Sequence, residues 1–473
     1  MSANSIQGIL EAMDQSVTYD QGTYRVQDPA KLRTQIGRLA EMSALESGKT
    51  QGWARFITRQ IAHSVGVFPA SINDLYLARG RGEVPPTFTV PAFNLRILSY
   101  DAARAIFRAA KAVDATAFIF ELSRSEMGYT DQRPSEYATS VLAAAIAEGY
   151  TGPVFIQGDH CQVSAKRYGS DPDGEINGLK DLMRECVAAG FFNLDVDTST
   201  MVDLAQKTIP AQQALNTSLS AMFTFFIRSI QPENVMISVG GEIGEVGGHN
   251  STEEELRAYL EGYTTELATS SSNVTGLSKI SIQTGTSHGG IVLPDGSIAT
   301  VNVDFDTMKK LSQVAQRDYG LGGAVQHGAS TLPESAFGKF VEADACEIHL
   351  ATNFMNQFFE VIPGELRTEM YAYLDKNSAA DRKPGMTDEQ FYYKTRKTSI
   401  GPFKKQIWGL GASEKAKIGK VWEDQFRKLF SLLGLAGTRT HTDRFIKPVL
   451  IAPSQKEYLG DAAESGDVSD LAD

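Results

Sequence analysis

The chain alternates between short β-type runs and helical patterns with a regularity that few folds accommodate. The β-type runs cover residues 88–94, 117–123, 153–160, 193–197, 234–244, 279–289, 323–330 and 345–352. Between them lie helix-period patterns at 100–113, 134–148, 176–189, 253–269, 307–315 and 333–341. Strand–helix alternation requires parallel strands joined by crossover helices. Eight such units predict an α/β fold, a TIM (β/α)8 barrel, with an open doubly wound sheet as the alternative that periodicity leaves standing.

The barrel does not account for the whole chain. Residues 1–85 read as a polar helical extension that ends in the breaker-rich stretch 79–86. Residues 86–440 hold the barrel and, from about 353 onward, further helices broken at Lys383-Pro384-Gly385 and at Ser399-Ile400-Gly401-Pro402. Residues 441–473 form a C-terminal tail whose last part is acidic and poor in hydrophobics. Hydrophobic residues make up 42% and charged residues 22%, enough for a large core. The formal net charge of −12 repels nucleic acid and anionic lipid, so an anionic ligand needs local cationic groups. The three cysteines, Cys161, Cys186 and Cys346, form no CxxC pair and fit reduced thiols in the cytoplasm. No signal-peptide pattern opens the sequence, and no apolar run approaches the roughly 20 residues that cross a bilayer. No nucleic-acid or membrane partner is expected.

Histidine placement carries the chemical information. Of only seven histidines, His160, His288 and His327 fall at the C-terminal ends of predicted strands, and a fourth strand ends in Gly240-Gly241-Glu242-Ile243-Gly244. In a barrel every such end opens on one face, where active sites lie. Three imidazoles and a carboxylate converging there fit a zinc-type site. A lone strand-end histidine is more often a satisfied polar residue, but three on separate strands, two of them followed by glycine, weigh against that. Asp159 precedes His160, so on a regular strand it would point the other way; at a strand-to-loop junction both can reach the site. Its fixed place beside a cation suits proton transfer, the competing role being a turn or helix cap.

These motifs resemble the class II fructose-bisphosphate and tagatose-bisphosphate aldolase family over roughly residues 84–440. Val90-Pro91-Ala92-Phe93-Asn94 resembles the family's first-strand signature, Glu121-Leu122-Ser123 its second, Gly158-Asp159-His160-Cys161 its DH motif, and Leu194-Asp195-Val196-Asp197 its fourth-strand signature. Gly241-Glu242-Ile243-Gly244 with Gly247-Gly248, then Gly285–Gly289, Gln326–Ser330 and Glu347–Thr352 follow in the family's order. The resemblance implies zinc, or another divalent metal, on His160, His288 and His327, with Glu242 as a further ligand and Asp197 close by. It leaves room for a monovalent cation as well. It implies Asp159 as the catalytic acid/base on the C4 hydroxyl, and Asn94, Ser123, Gly289, Ser330 and Thr352 around the ketose and its phosphate. The implied reaction is reversible cleavage of a phosphorylated ketose to an aldehyde and a dihydroxyacetone-phosphate-type enediolate, by a cytoplasmic homo-oligomer acting on a small-molecule sugar phosphate. The cation acts there as Lewis acid, phosphate contacts supply remote binding energy, and no lysine Schiff base is needed.

The sequence also departs from the family. Ala329 stands where the family has a glycine, and His349 where it has an asparagine. The family's mobile-loop glutamate has only loose counterparts in Glu245, Glu253 and Glu254, and its distal-phosphate cation in Lys394, Arg396 or Lys404. Solvated surface charge is the ordinary reading for each of these. Two alternatives stand beside the aldolase: a metal-dependent sugar epimerase on the same barrel, and a non-catalytic aldolase subunit, which the Met127-Gly128-Tyr129-Thr130 stretch resembles.

Overall fold

A computed structural model describes residues 5–20, 23–244, 249–270, 274–286, 293 and 302–459. Eight parallel strands form the barrel: β1 (Val90–Asn94), β2 (Ile119–Ser123), β3 (Gly152–Gln162), β4 (Asn193–Asp197), β5 (Ser238–Glu242), β6 (Lys279–Ile282), β7 (Ala324–Gln326) and β8 (Glu347–Leu350). Each pairs with the next, and β8 pairs with β1, with Glu347 opposite Val90 and Leu350 opposite Phe93, so the sheet closes. The closed barrel excludes the doubly wound alternative. Helices lie between successive strands, as the crossover argument requires.

Several strands are shorter than their β-type runs. β7 stops at Gln326, and Gly328 beyond it takes a φ of 70° before a 3-10 turn over Ala329–Thr331. β5 stops at Glu242, and Gly244 takes a φ of 106°. Both glycines turn the chain through a conformation costly for other residues, which is how strand-end side chains come to sit on a rim.

The barrel's two ends differ. At the end where the strands begin, the strand Val67–Ala70 adds in parallel to Gly152–Phe155 of β3. The helix Asn73–Gly80 follows, and its Tyr76 hydroxyl reaches Glu347 in the barrel interior. Arg79 is buried, donates to the carbonyls of Phe88 (2.7 Å) and Ala345 (3.2 Å), and pairs with Asp344 at 2.7 Å. After β8 the chain is helical: Ala412–Leu432 packs on Ser99–Ala112, and Trp422 donates to the carbonyl of Phe354. Phe93 packs edge-on against Phe354, Phe426 and Phe430, tying β1 to that layer. No described helix is long and apolar enough to cross a membrane.

Arg79 thus joins the helix Asn73–Gly80 to the entrances of β1 and β8. Arg79→Ala removes those bonds and leaves the buried Asp344 carboxylate without its partner, at an expected cost of about 3–5 kcal/mol. Urea unfolding followed by circular dichroism checks this; a change under about 1 kcal/mol would contradict the tie.

Candidate metal and substrate site

In most barrels the interior is filled with branched aliphatic side chains. Here the alternate, inward positions of the strands are polar. Glu121 and Ser123 lie opposite Gln157 and Asp159 in the β2–β3 ladder. Asp195 and Asp197 alternate on β4, Lys279 and Ser281 on β6, and Glu347 and His349 on β8. All of these are buried. The Lys279 ammonium is bonded by Gln157 (2.8 Å), Asp195 (2.9 Å) and Glu347 (2.5 Å). Those carboxylates raise its pKa against the opposing effect of burial. Fully enclosed and triply bonded, this lysine is no nucleophile.

Above that layer sit the strand-end residues. β3 carries a bulge between Gly158 and Cys161, where three steps along β3 oppose two along β4, and His160 takes a φ of 43°. The bulge breaks the in–out alternation, so Asp159 and His160 both turn to the barrel mouth. The strand itself runs on to Gln162, so it is the bulge, not a strand end, that brings both residues there. His160 Nδ1 lies 3.0 Å from Asp197 Oδ2 and 3.4 Å from Glu242 Oε2, and its ring centroid is 4.4 Å from that of His327. One donor atom from each of His160, Glu242 and His327 falls within 4.8 Å of the others.

Asp197 holds His160 in place. It accepts from Gln162 Nε2 (2.5 Å) and, through its other oxygen, from the Ser199 hydroxyl (2.6 Å) and amide (3.1 Å). Burial opposes its charge, yet these bonds and the His160 contact keep its carboxyl below the ordinary range. Burial and the adjacent Asp197 push Glu242 up to about 7. His160 is raised well above its ordinary value: burial works the other way, and Asp159, Asp197 and Glu242 outweigh it. His327 Nε2 lies 3.0 Å from the Ser281 hydroxyl, and its carbonyl accepts from Thr286 and Gln326, each at 2.7 Å.

Imidazole nitrogen and carboxylate oxygen within one small sphere suit a borderline divalent cation such as zinc, and a surplus of buried carboxylates favours positive charge there. The donor set therefore fits a metal. His288, Gly289, Glu245 and Gly247-Gly248 lie outside the described residues.

The substrate candidates surround this point. Ser123 caps the helix Arg124–Tyr129 in a reciprocal capping box with Glu126. Glu126 also accepts from Asn94 Nδ2 (2.6 Å) and pairs with Arg96 at 2.6 Å, so one carboxylate links β1 and β2 at the rim. The Ser-x-x-Glu spacing from Ser123 to Glu126 could have marked that carboxylate in the sequence, which the motif reading passed over. The Ser330 hydroxyl accepts from the Ala351 amide, and Thr352 opens the helix Thr352–Val361. His349 lies inside the barrel beneath His327, ring centroids 4.0 Å apart.

Beside Ser123 and His160 opens a cavity of about 750 Å³. Arg96, Arg124, Arg133, Arg167 and Lys397 line it. Of the three distal cations considered from sequence, Lys404 is bound to Glu136 at 2.8 Å, and buried Arg396 bonds Asn356 and stacks on Tyr393. Lys394 is exposed and does not line the cavity; Lys397, three residues on, does. Glu253 and Glu254 begin the helix Glu253–Ser270, and Glu253 is bound to Arg257 at 2.8 Å.

The chain belongs to the class II aldolases: the family profile "Fructose-bisphosphate aldolase class-II" matches residues 86–407, well over half its length. Solved structures resemble the chain at low identity. A probable tagatose 6 phosphate kinase from Sinorhizobium meliloti 1021 is 15% identical over 80% of this chain and 98% of its own, with a TM-score of 0.50. Fructose-bisphosphate aldolase from Campylobacter jejuni is 17% identical over 78% and 96%, with a TM-score of 0.46. A putative fructose-1,6-biphosphate aldolase from Coccidioides immitis is 15% identical over 77% and 96%, with a TM-score of 0.45. No curated protein matches the sequence.

Because His160 and Glu242 hold protons more tightly than usual in this carboxylate-rich mouth, a cation must displace protons to enter. Raising the pH through about 7 removes the Glu242 proton beforehand, so apparent metal affinity is expected to climb between about pH 6 and about pH 8, and to go on rising as His160 loses its proton. Competition against a chromogenic chelator measures it; a flat profile would show that these groups do not hold the cation.

Proposed function

We propose that this protein is a divalent-metal-dependent aldolase, of zinc type, that reversibly cleaves a phosphorylated ketose. The observation that carries the reading is the convergence of His160, Glu242 and His327 donors within 4.8 Å, with Asp159 turned to the same mouth by the β3 bulge. His288, placed by sequence on the same rim, completes the ligand set in this reading. Such a cation, when bound, supplies a Lewis-acid sink for the negative charge that develops beside a ketose carbonyl.

The chain's own residues do the rest. Breaking the C3–C4 bond requires the C4 hydroxyl to lose its proton as the aldehyde carbonyl forms. Asp159, buried and fixed beside His160, takes that proton, and returns it in the condensation direction. Asn94 and Ser123, held in register through Glu126, orient the sugar hydroxyls. Gly289, Ser330 and Thr352 serve the phosphate, the last at a helix N-terminus whose partial positive charge favours anions.

The net charge of −12 would repel a sugar phosphate. Around the cavity four arginines and a lysine outnumber the acids Glu126, Asp181 and Glu185. Arg96, Arg124 and Arg133 are, however, ion-paired to Glu126, Glu175 and Glu185, so the local excess of positive charge is small. That cavity opens beside Ser123 and His160. The non-catalytic reading would require neither a complete ligand set nor a proton-transfer carboxylate.

Asp159→Ala is expected to keep bound metal near the wild-type level and to lower ketose cleavage by about 10²–10⁴-fold. His327→Ala is expected to lose the metal itself. Metal analysis by plasma emission, with a coupled assay for triose phosphate over a panel of ketose mono- and bisphosphates, tests both. Undiminished cleavage by Asp159→Ala would overturn the assignment.

A further inference from the structure

His349 occupies the strand position where the family carries asparagine, and its surroundings give it a task. Its Nδ1 lies 2.9 Å from Glu121 Oε2 and 3.2 Å from Asp159 Oδ1. Its Nε2 lies 2.8 Å from Glu347 Oε1 and 3.7 Å from Asp195 Oδ2. The ring is 5% exposed and packs under His327. Both nitrogens thus face carboxylates, in charge contacts off the line of ideal hydrogen bonds. Glu347 is itself immobile: it is bonded by Lys279 (2.5 Å), Gln157 (3.0 Å) and the Tyr76 hydroxyl.

We infer that His349 is a positioning residue: it anchors on Glu347 through Nε2 and, through Nδ1, holds Asp159 at the barrel mouth in the orientation needed for proton transfer. Two facts favour this over a space-filling ring. An apolar filler would remove the imidazole that now separates the Asp159 and Glu121 carboxyls, leaving Asp159 Oδ1 the more distant His160 ring, 3.6 Å away. The anchored end is also tied to Lys279 and Tyr76, so a movement of the ring would break a network that spans the barrel. An asparagine could reach Asp159 from this position but would fall short of Glu347, so the histidine adds a brace that asparagine does not provide. Residues that orient a reacting group in this way commonly contribute about 10–100-fold to activity.

The inference rests on the aldolase reading for its kinetic test, and a structural test stands apart from it. Three variants separate its parts. His349→Asn can present an amide N–H toward Asp159 but loses Glu347; His349→Gln can reach toward Glu347 but loses Asp159; His349→Phe keeps the ring and loses both polar contacts. Cleavage kcat is expected to fall least in the asparagine variant and about 10–100-fold in the glutamine and phenylalanine variants, with KM and bound metal within about threefold of wild type. Solvent-deuterium exchange into dihydroxyacetone phosphate alone involves no C4 hydroxyl, so it should survive in all three. Crystal structures of metal-loaded His349→Asn and His349→Gln supply the arm that needs no activity: Asp159 is expected to keep its rotamer in the first and turn in the second. Asparagine and glutamine variants that are indistinguishable in kcat, a phenylalanine variant with wild-type kcat, or an unmoved Asp159 in the glutamine variant would each overturn the inference. Absence of both cleavage and exchange in the wild type would overturn the aldolase reading, and the crystallographic comparison would still decide the role of His349.

Discussion

Buried charge governs this barrel. Glu121, Asp159, Asp195, Asp197, Glu242 and Glu347 all lie within the barrel or at its mouth, and each is at most 9% exposed. Against these six carboxylates stand, among the described residues, the ammonium of Lys279 and the imidazoles of His160, His327 and His349. Burying a charge without a partner costs several kcal/mol per ion, so the arrangement demands compensation on every side. Deep in the barrel Lys279 provides it: burial opposes the charge of Glu347, but the ammonium, with His349, holds that carboxyl down to about 2. In the same layer, burial and Asp159 push Glu121 up to about 8, and burial pushes Asp195 to about 6 even with Lys279 beside it. At the mouth, burial and Asp197 push Glu242 up to about 7, and a divalent cation there would complete the compensation.

This arrangement of buried charge couples fold to chemistry. Closure of β1 to β8 brings the strand tips together, and the β3 bulge turns the neighbouring residues Asp159 and His160, the proposed base and ligand, to one point. The extension before the barrel contributes from below, since Tyr76 and Arg79 enter or brace the ends of the strands that carry Glu347 and His349. The mouth is thus supported by a polar network in place of an aliphatic core. Such a network is rigid when fully paired and costly when any member is removed.

Much of this was legible in the sequence. The strand–helix alternation gives the barrel, and of the strand-end residues singled out, His160, His327 and Glu242 meet at one rim, while His288 lies outside the described residues. The polar interior was harder to read. In a barrel both faces of a parallel strand are covered, one by helices and one by the opposite wall, so a polar residue in a β-type run does not announce its side. Glu121, Lys279 and Glu347 were visible as residues but not as one network. His349 is a sharper case, for its alternation with Glu347 places both inward only once the strand's facing is known. The bulge at Asp159-His160 likewise depends on pairing with β4, which no local pattern encodes. Arg96 and Lys397 come to one cavity from opposite ends of the barrel sequence, a closeness that only the closed fold creates.

The central claim is that one cation sits among His160, Glu242 and His327. Anomalous diffraction at the zinc absorption edge, from crystals of the protein loaded with zinc, tests it most directly. The account predicts a single strong peak at the barrel mouth within bonding distance of donors from all three residues. A zinc-loaded crystal with no peak there, or with its peak bounded by other side chains, would contradict it.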